Sequence, residues 1–310
     1  MRLRLTHAFI AAIASLALLG AGCGSDDDEN GGGVITADGS STVGPFVTKA
    51  AEDFKADEGV DVTVGISGTG GGFERFCAGE TDLSNASREI DEEEQALCEE
   101  GGIEYIEFRI ATDALTNVVN RENDWATCLT VDQLSSIWGP DSNISNWNQI
   151  DPSFPDEPLT LFGPGTDSGT FDYFTDVING EEGASRTDYS PSEDDNVIVQ
   201  GVSGDRGGMG YFGFSYFEQN QGTLKALEVD GGSGCVAPSV ETAQDGSYTP
   251  LSRPLFVYAK QSSFDDNEDV RNFVKYMLDN NSSIAEAAQF VPLSDAQLEA
   301  EQTKYEDAGA

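Results

Sequence analysis

Three short stretches of the chain place hydroxyls and glycines in one arrangement: Gly39-Ser40-Ser41-Thr42, Ser67-Gly68-Thr69-Gly70-Gly71-Gly72 and Gly165-Thr166-Asp167-Ser168-Gly169-Thr170. Each follows a strand-like run and leads straight into a segment of helical period. A helix N-terminus offers unpaired backbone N–H groups and the positive end of a dipole, glycine lets a ligand reach the backbone, and hydroxyls add neutral donors. Ordinary Ser and Thr N-caps account for any one of these turns taken alone. Three in one chain, two of them glycine-rich, favour an anion site.

The chemistry that is missing narrows the field further. The only histidine is His7, near the start of the chain, inside a segment that reads as a signal peptide. Ser-His-Asp and Cys-His catalysis, histidine general bases and histidine-ligated zinc are therefore excluded from the exported part. Asp167-Ser168-Gly169 has the letters of a protease nucleophile but no histidine to activate Ser168. Gly68-Thr69-Gly70 opens like a dinucleotide fingerprint, yet Phe73 stands where the third glycine belongs, and no Gly-Lys-Ser/Thr phosphate loop occurs. The chain has 16 Lys and Arg against 56 Asp and Glu; removing Arg2 and Arg4 with the signal peptide leaves 14 basic groups and a formal charge of −42. Nucleic acid is not a partner for such a surface, which lacks a basic footprint. Neither a metal nor a cofactor is expected.

The elements that must position these turns are legible as alternating periods. Residues 60–66, 103–108, 116–120, 159–162 and 255–259 read as strands. Between them, Phe46, Ala50 and Phe54 mark a helix that starts at Pro45 and stops before Gly59. Thr130 and Gln133 form a capping box for a helix over 131–138. Val270, Phe273, Val274, Met277 and Leu278 make an apolar helical stripe. Strands alternating with helices predict an α/β protein with mainly parallel sheets, and about 275 residues suffice for two lobes. The lobes are expected to be discontinuous, residues 34–112 with 248–310 and residues 113–247, joined by two hinge strands.

Residues 1–22 carry Arg2 and Arg4, an apolar run over 8–19 and the small residues Gly20-Ala21-Gly22, the pattern of a signal peptide. Cys23 follows directly and resembles the acylated cysteine of a bacterial lipobox. Residues 23–33, acidic and then glycine-rich, read as a tether between a membrane surface and the folded part. The protein is thus expected on the extracytoplasmic face of the cell membrane, in the periplasm or at the cell surface. Four further cysteines allow three pairings, of which Cys77 with Cys98 and Cys128 with Cys235 are favoured.

Residues 38–43 (DGSSTV), 66–73 (ISGTGGGF) with 79–88 (GETDLSNASR), and 163–170 (GPGTDSGT) resemble the phosphate-binding proteins of phosphate ABC importers, the PstS family, over nearly the whole exported chain. The resemblance implies a two-lobed periplasmic-binding-protein fold, inorganic phosphate held between the lobes, delivery to importer permease subunits, and no chemistry. By position, Ser41 and Thr42 match the family's first-loop contacts. Thr69 matches the second-loop serine, with Ser67 beside it. Ser168, Gly169 and Thr170 match its Ser-Gly-Thr at a helix start. Two positions depart: Pro164 stands where many members have an arginine, and Ser87 where they have the aspartate that accepts the phosphate proton. Arg88 is expected to supply the missing charge, and Asp167 or Asp38 the missing acceptor. Rival readings are a sulfate or molybdate binder, a phosphoester-acting enzyme and an anchored adhesion module. The exported protein is expected to be a monomer.

Overall fold

The computed structural model describes residues 34–166 and 168–309; the signal-peptide segment, the tether with Cys23, and Asp167 lie outside the described residues. In chain order the strands are β1 (Ile35–Gly39), β2 (Val62–Val64), β3 (Leu83–Ala86), β4 (Tyr105–Asn120), β5 (Cys128–Thr130), β6 (Thr160–Gly163), β7 (Ser190–Pro191), β8 (Gly208–Gly213), β9 (Leu224–Ala226), β10 (Glu228–Asp230), β11 (Cys235–Val236) and β12 (Ser252–Lys260). The main sheet runs β2-β1-β3-β12-β4-β8-β6-β7, with β9 on the side of β4; β11-β10-β5 form a small second sheet. Within the main sheet, β2-β1-β3 and β8-β6-β7 are parallel, as helical crossovers require. Its antiparallel pairs all involve β4 or β12.

The predicted strands over 103–108 and 116–120 are the two ends of one 16-residue strand, β4. Its middle offers neither glycine nor proline to break it, and it is buried almost throughout because neighbours cover it along its whole length. It feeds two cores. Ile106, Phe108, Ile110 and Ala111 belong to a core drawn from residues 35–111 and 255–285, whereas Leu115 and Val119 belong to one drawn from residues 115–251.

The helices begin and end where the residue chemistry dictates. Helix α1 (Gly44–Glu58) starts with Pro45 in its first turn and stops at Gly59, whose φ of 77° suits a residue without a β-carbon. Helices α2 (Gly68–Cys77) and α3 (Glu92–Gly101) pack closely enough for the Cys77–Cys98 disulfide to join them. Helix α4 (Val131–Trp138) carries the capping box of Thr130 and Gln133. Helix α5 (Gly169–Asn179) starts at the third hydroxyl-glycine turn. The helix Glu268–Asp279 buries its whole predicted stripe against the first core.

The second disulfide, Cys128–Cys235, joins β5 to β11 across 107 residues of chain. Closing so long a loop removes much of the unfolded chain's freedom, worth about 4 kcal/mol. The Cys128→Ala/Cys235→Ala variant is therefore expected to melt roughly 10 °C below the wild type by calorimetry. An unchanged melting point would show that the link adds nothing to stability.

Candidate functional site

The first turn is built by backbone crowding at the end of β1. A β-carbon on Gly39 would lie 2.2 Å from the Asn85 carbonyl oxygen, so only glycine lets β1 run this close to β3. Ser40 N–H then donates to that carbonyl at 2.8 Å, and the Ser40 carbonyl accepts from Gly44 N–H at 3.0 Å. The chain is thereby folded over the N-terminus of α1. Among the described residues, the N–H groups of Ser41 and Thr42 have no acceptor, and neither does that of Gly169 at the start of α5.

The second turn is tied to the first through Asp38. Its carboxylate accepts from Gly39 N–H at 2.7 Å and Ser67 Oγ at 2.9 Å, and it pairs with Arg75. Both Asp38 and Ser67 are thus engaged in holding the two loops together. Helix α2 begins already at Gly68, one turn before the predicted start, so its glycines lie inside the helix. A β-carbon on Gly72 would meet Gly39 Cα at 2.5 Å; this glycine serves the packing of α2 on β1. Thr69 Oγ1 lies 3.1 Å from Ser87 Oγ and accepts from Ser87 N–H at 3.3 Å. In the third turn Ser168 caps α5, its Oγ accepting from Thr170 N–H at 3.2 Å.

The N-termini of α1, α2 and α5 meet at one cleft of about 560 Å³. Of the residues singled out from the sequence, Ser41, Thr42, Thr69, Ser87, Arg88 and Gly169 line it. The first and third turns lie close together: a β-carbon on Gly169 would sit 3.5 Å from Thr42 Oγ1. Thr170 faces an adjoining cavity of about 180 Å³, which also reaches Ser41, Thr42, Gly169 and Asp113. Ser67 and Ser168 are not among the cleft walls, and Asp167 is outside the described residues.

Two arginines face the cleft, and their surroundings differ. Arg88 is gripped by Glu94, with both terminal nitrogens at 2.7 Å from the carboxylate oxygens, and Asp91 lies 3.6 Å away. Arg253, at the start of β12, sits where the first and third turns meet. Its Nη2 donates to Thr42 Oγ1 at 2.9 Å, and its Nε and Nη2 both lie 3.3 Å from Asp113 Oδ2. Its guanidinium also stacks on the Tyr173 ring at 3.6 Å from the centroid. Asp113 is buried, and burial pushes its pKa up; Arg253 and the Ala114 amide pull the other way without cancelling that effect. Burial likewise raises the carboxyl of Asp172 on the α5 wall, with a contribution from Glu182.

Arg253, Asp113 and Tyr173 were not anticipated. Asp113 did leave a signal: it is a lone charge in the apolar run Ile110-Ala111-Thr112-Asp113-Ala114-Leu115, and a buried charge needs a partner. Reading two strands with a gap between them hid it.

The chain matches the PBP superfamily domain over residues 25–281. Protein SphX of Synechocystis is 48% identical over 262 residues, covering 84% of this chain and 78% of that protein. The phosphate-binding protein PstS of Staphylococcus saprophyticus is 40% identical over 302 residues, 96% of this chain and 92% of its own. Among solved structures, a possible phosphate binding protein from Planctomyces limnophilus superposes with a TM-score of 0.84 at 44% identity, covering 89% of this chain and 98% of that one.

Proposed function

The chain belongs to the PBP superfamily and, within it, to the PstS family of phosphate-binding proteins; on that premise we propose that it captures inorganic phosphate where the first and third turns meet and delivers it to an ABC importer. The N–H groups of Ser41, Thr42 and Gly169 and the Thr42 hydroxyl supply neutral donors. Arg253 supplies the positive charge, and Asp113 accepts the phosphate proton. Thr69 and Ser87 offer hydroxyls from the opposite wall. Arg88, neutralised by Glu94, shapes that wall without being the main charge. The observation that carries this reading is Arg253, a largely buried guanidinium hydrogen-bonded to the first turn and opposed to a buried carboxylate.

An ionised Asp113 accepts a hydrogen bond from protonated phosphate and repels sulfate, which has no proton to give. The formal charge of −42 on the exported chain, 14 basic against 56 acidic groups, does not prevent capture. At ~0.15 M salt that field decays over about 8 Å, whereas amides and Arg253 act at contact distance.

Lobes close to residues 34–112 with 248–310 and residues 113–247 fit the two cores, except that Tyr248 and Leu251 pack in the second core and move the later boundary to residues 252–254; the lobes close over the ligand about β4 and β12. The family is one of extracytoplasmic transport proteins, and no helix among the described residues is long and apolar enough to cross a membrane. Membrane attachment falls to an acylated Cys23, with the folded part acting as a monomer. Replacing Cys23 with Ser is expected to release the protein from the membrane fraction; a variant still found there would refute the anchor.

Calorimetric titration tests the site. Wild type is expected to bind phosphate in preference to sulfate and molybdate. Arg253→Ala is expected to weaken phosphate binding by roughly a hundredfold, since a hydrogen bond to a charged group is worth about 1.5–3 kcal/mol. Arg88→Ala should change it by less than about threefold, because its charge is already matched. The reverse ranking would move the site to the Arg88 wall.

The pH dependence has a definite sign. Asp113 must be ionised to accept the proton, so phosphate affinity falls on acidification at a pH above the usual aspartate range. Its raised pKa has the opposite consequence for folding: that contribution to stability is full below the unfolded-state pKa and is lost as pH rises through the folded one.

A further inference from the structure

Arg253 is a long side chain with many rotamers, yet its guanidinium is held by contacts from three separate elements. Thr42 on the first turn and Asp113 on β4 take hydrogen bonds from Nε and Nη2, leaving Nη1 without a partner among the described residues. Tyr173, on the second turn of α5, provides the flat surface beneath. This ring is itself fixed: it is only 4% exposed, and its hydroxyl donates to the Pro250 carbonyl at 2.7 Å, three residues before Arg253. The same cleft wall carries the carboxylates of Asp172 and Asp176, so an arginine free to swing has competing partners close by.

We propose that Tyr173 is a positioning residue for anion capture: its ring fixes the plane of the Arg253 guanidinium so that the unpaired N–H groups face the ligand instead of turning to Asp172 or Asp176. A stacked guanidinium donates only within its own plane, which suits the oxygens of a tetrahedral anion. Because the Gly169 amide and the Tyr173 ring belong to one helix, the stack also sets the spacing between the neutral and charged donors. This inference rests on the reading that Arg253 meets phosphate.

Phosphate titrations of Tyr173→Leu and Tyr173→Phe, alone and with Arg253→Ala, test it. Tyr173→Leu is expected to weaken binding on the order of tenfold, the scale of a desolvated cation–π contact. Tyr173→Phe, which keeps the ring, is expected to restore most of that loss. In the Arg253→Ala background, Tyr173→Leu should add nothing. If Arg253→Ala is weak but Tyr173→Leu binds like wild type, Tyr173 has no positioning role while the Arg253 assignment stands. An equal loss from Tyr173→Leu in both backgrounds also overturns the proposal, since the ring would then act through the fold. Should Tyr173→Leu fail to fold, nitrogen relaxation at Arg253 Nε–H in the wild-type protein decides: a rigid side chain before phosphate is added is the expected result, and a mobile one contradicts it.

Discussion

A carboxylate taken out of water is costly unless a partner and hydrogen bonds replace its hydration, and Asp113 is such a group, seated in the middle of the longest strand. Its partner comes from the strand alongside: in the β4–β12 register Asp113 stands directly opposite Arg253. The pair therefore depends on the one place where the two long strands cross from one core to the other. Removing either charge would leave the other buried and unmatched. With both present, the fold keeps a positive group beside two helix N-termini, in a protein whose surface is overwhelmingly negative.

The glycines divide into two kinds of work. Gly39 and Gly72 let β1, β3 and α2 approach one another without side chains between them, and this close packing is what brings the first two turns together. Gly169 faces Thr42 across the cleft with room for no more than an ordinary contact between them, and it lines the cleft beside that turn. Packing of the first kind makes the second kind useful, because an amide binds an anion only when the neighbouring turns are fixed. Asp38 belongs to the same scaffold, since its bonds to Gly39, Ser67 and Arg75 hold the loops in place.

Much of this was legible before any coordinates. The capping box at Thr130, the stripe of the helix Glu268–Asp279, the stop at Gly59 and the Cys77–Cys98 pairing are local or nearly local signals, and the structure contains each of them; with Cys77 and Cys98 paired, Cys128 and Cys235 were left to each other across 107 residues, and that disulfide is present too. Strands β3, β5 and β7 to β11 were missed. β8 holds three glycines in six residues, a composition that reads as loop until the closeness of β6 explains it: a β-carbon on Gly210 would meet the Phe162 carbonyl oxygen at 2.6 Å. The three turns were visible because their chemistry is contiguous in sequence. The Asp113–Arg253 pair was not, because 140 residues separate its members and only strand register joins them. Arg88 drew attention by lying next to a recognisable motif, and only its bidentate bond to Glu94 shows how that charge is matched.

The most direct test is a crystal structure of the phosphate complex. The account predicts the anion between Thr42, Gly169 and Arg253, with one of its oxygens within hydrogen-bond distance of the Asp113 carboxylate. Phosphate lodged instead against Thr69, Ser87 and Arg88, with the Asp113–Arg253 pair undisturbed and out of reach, would contradict it.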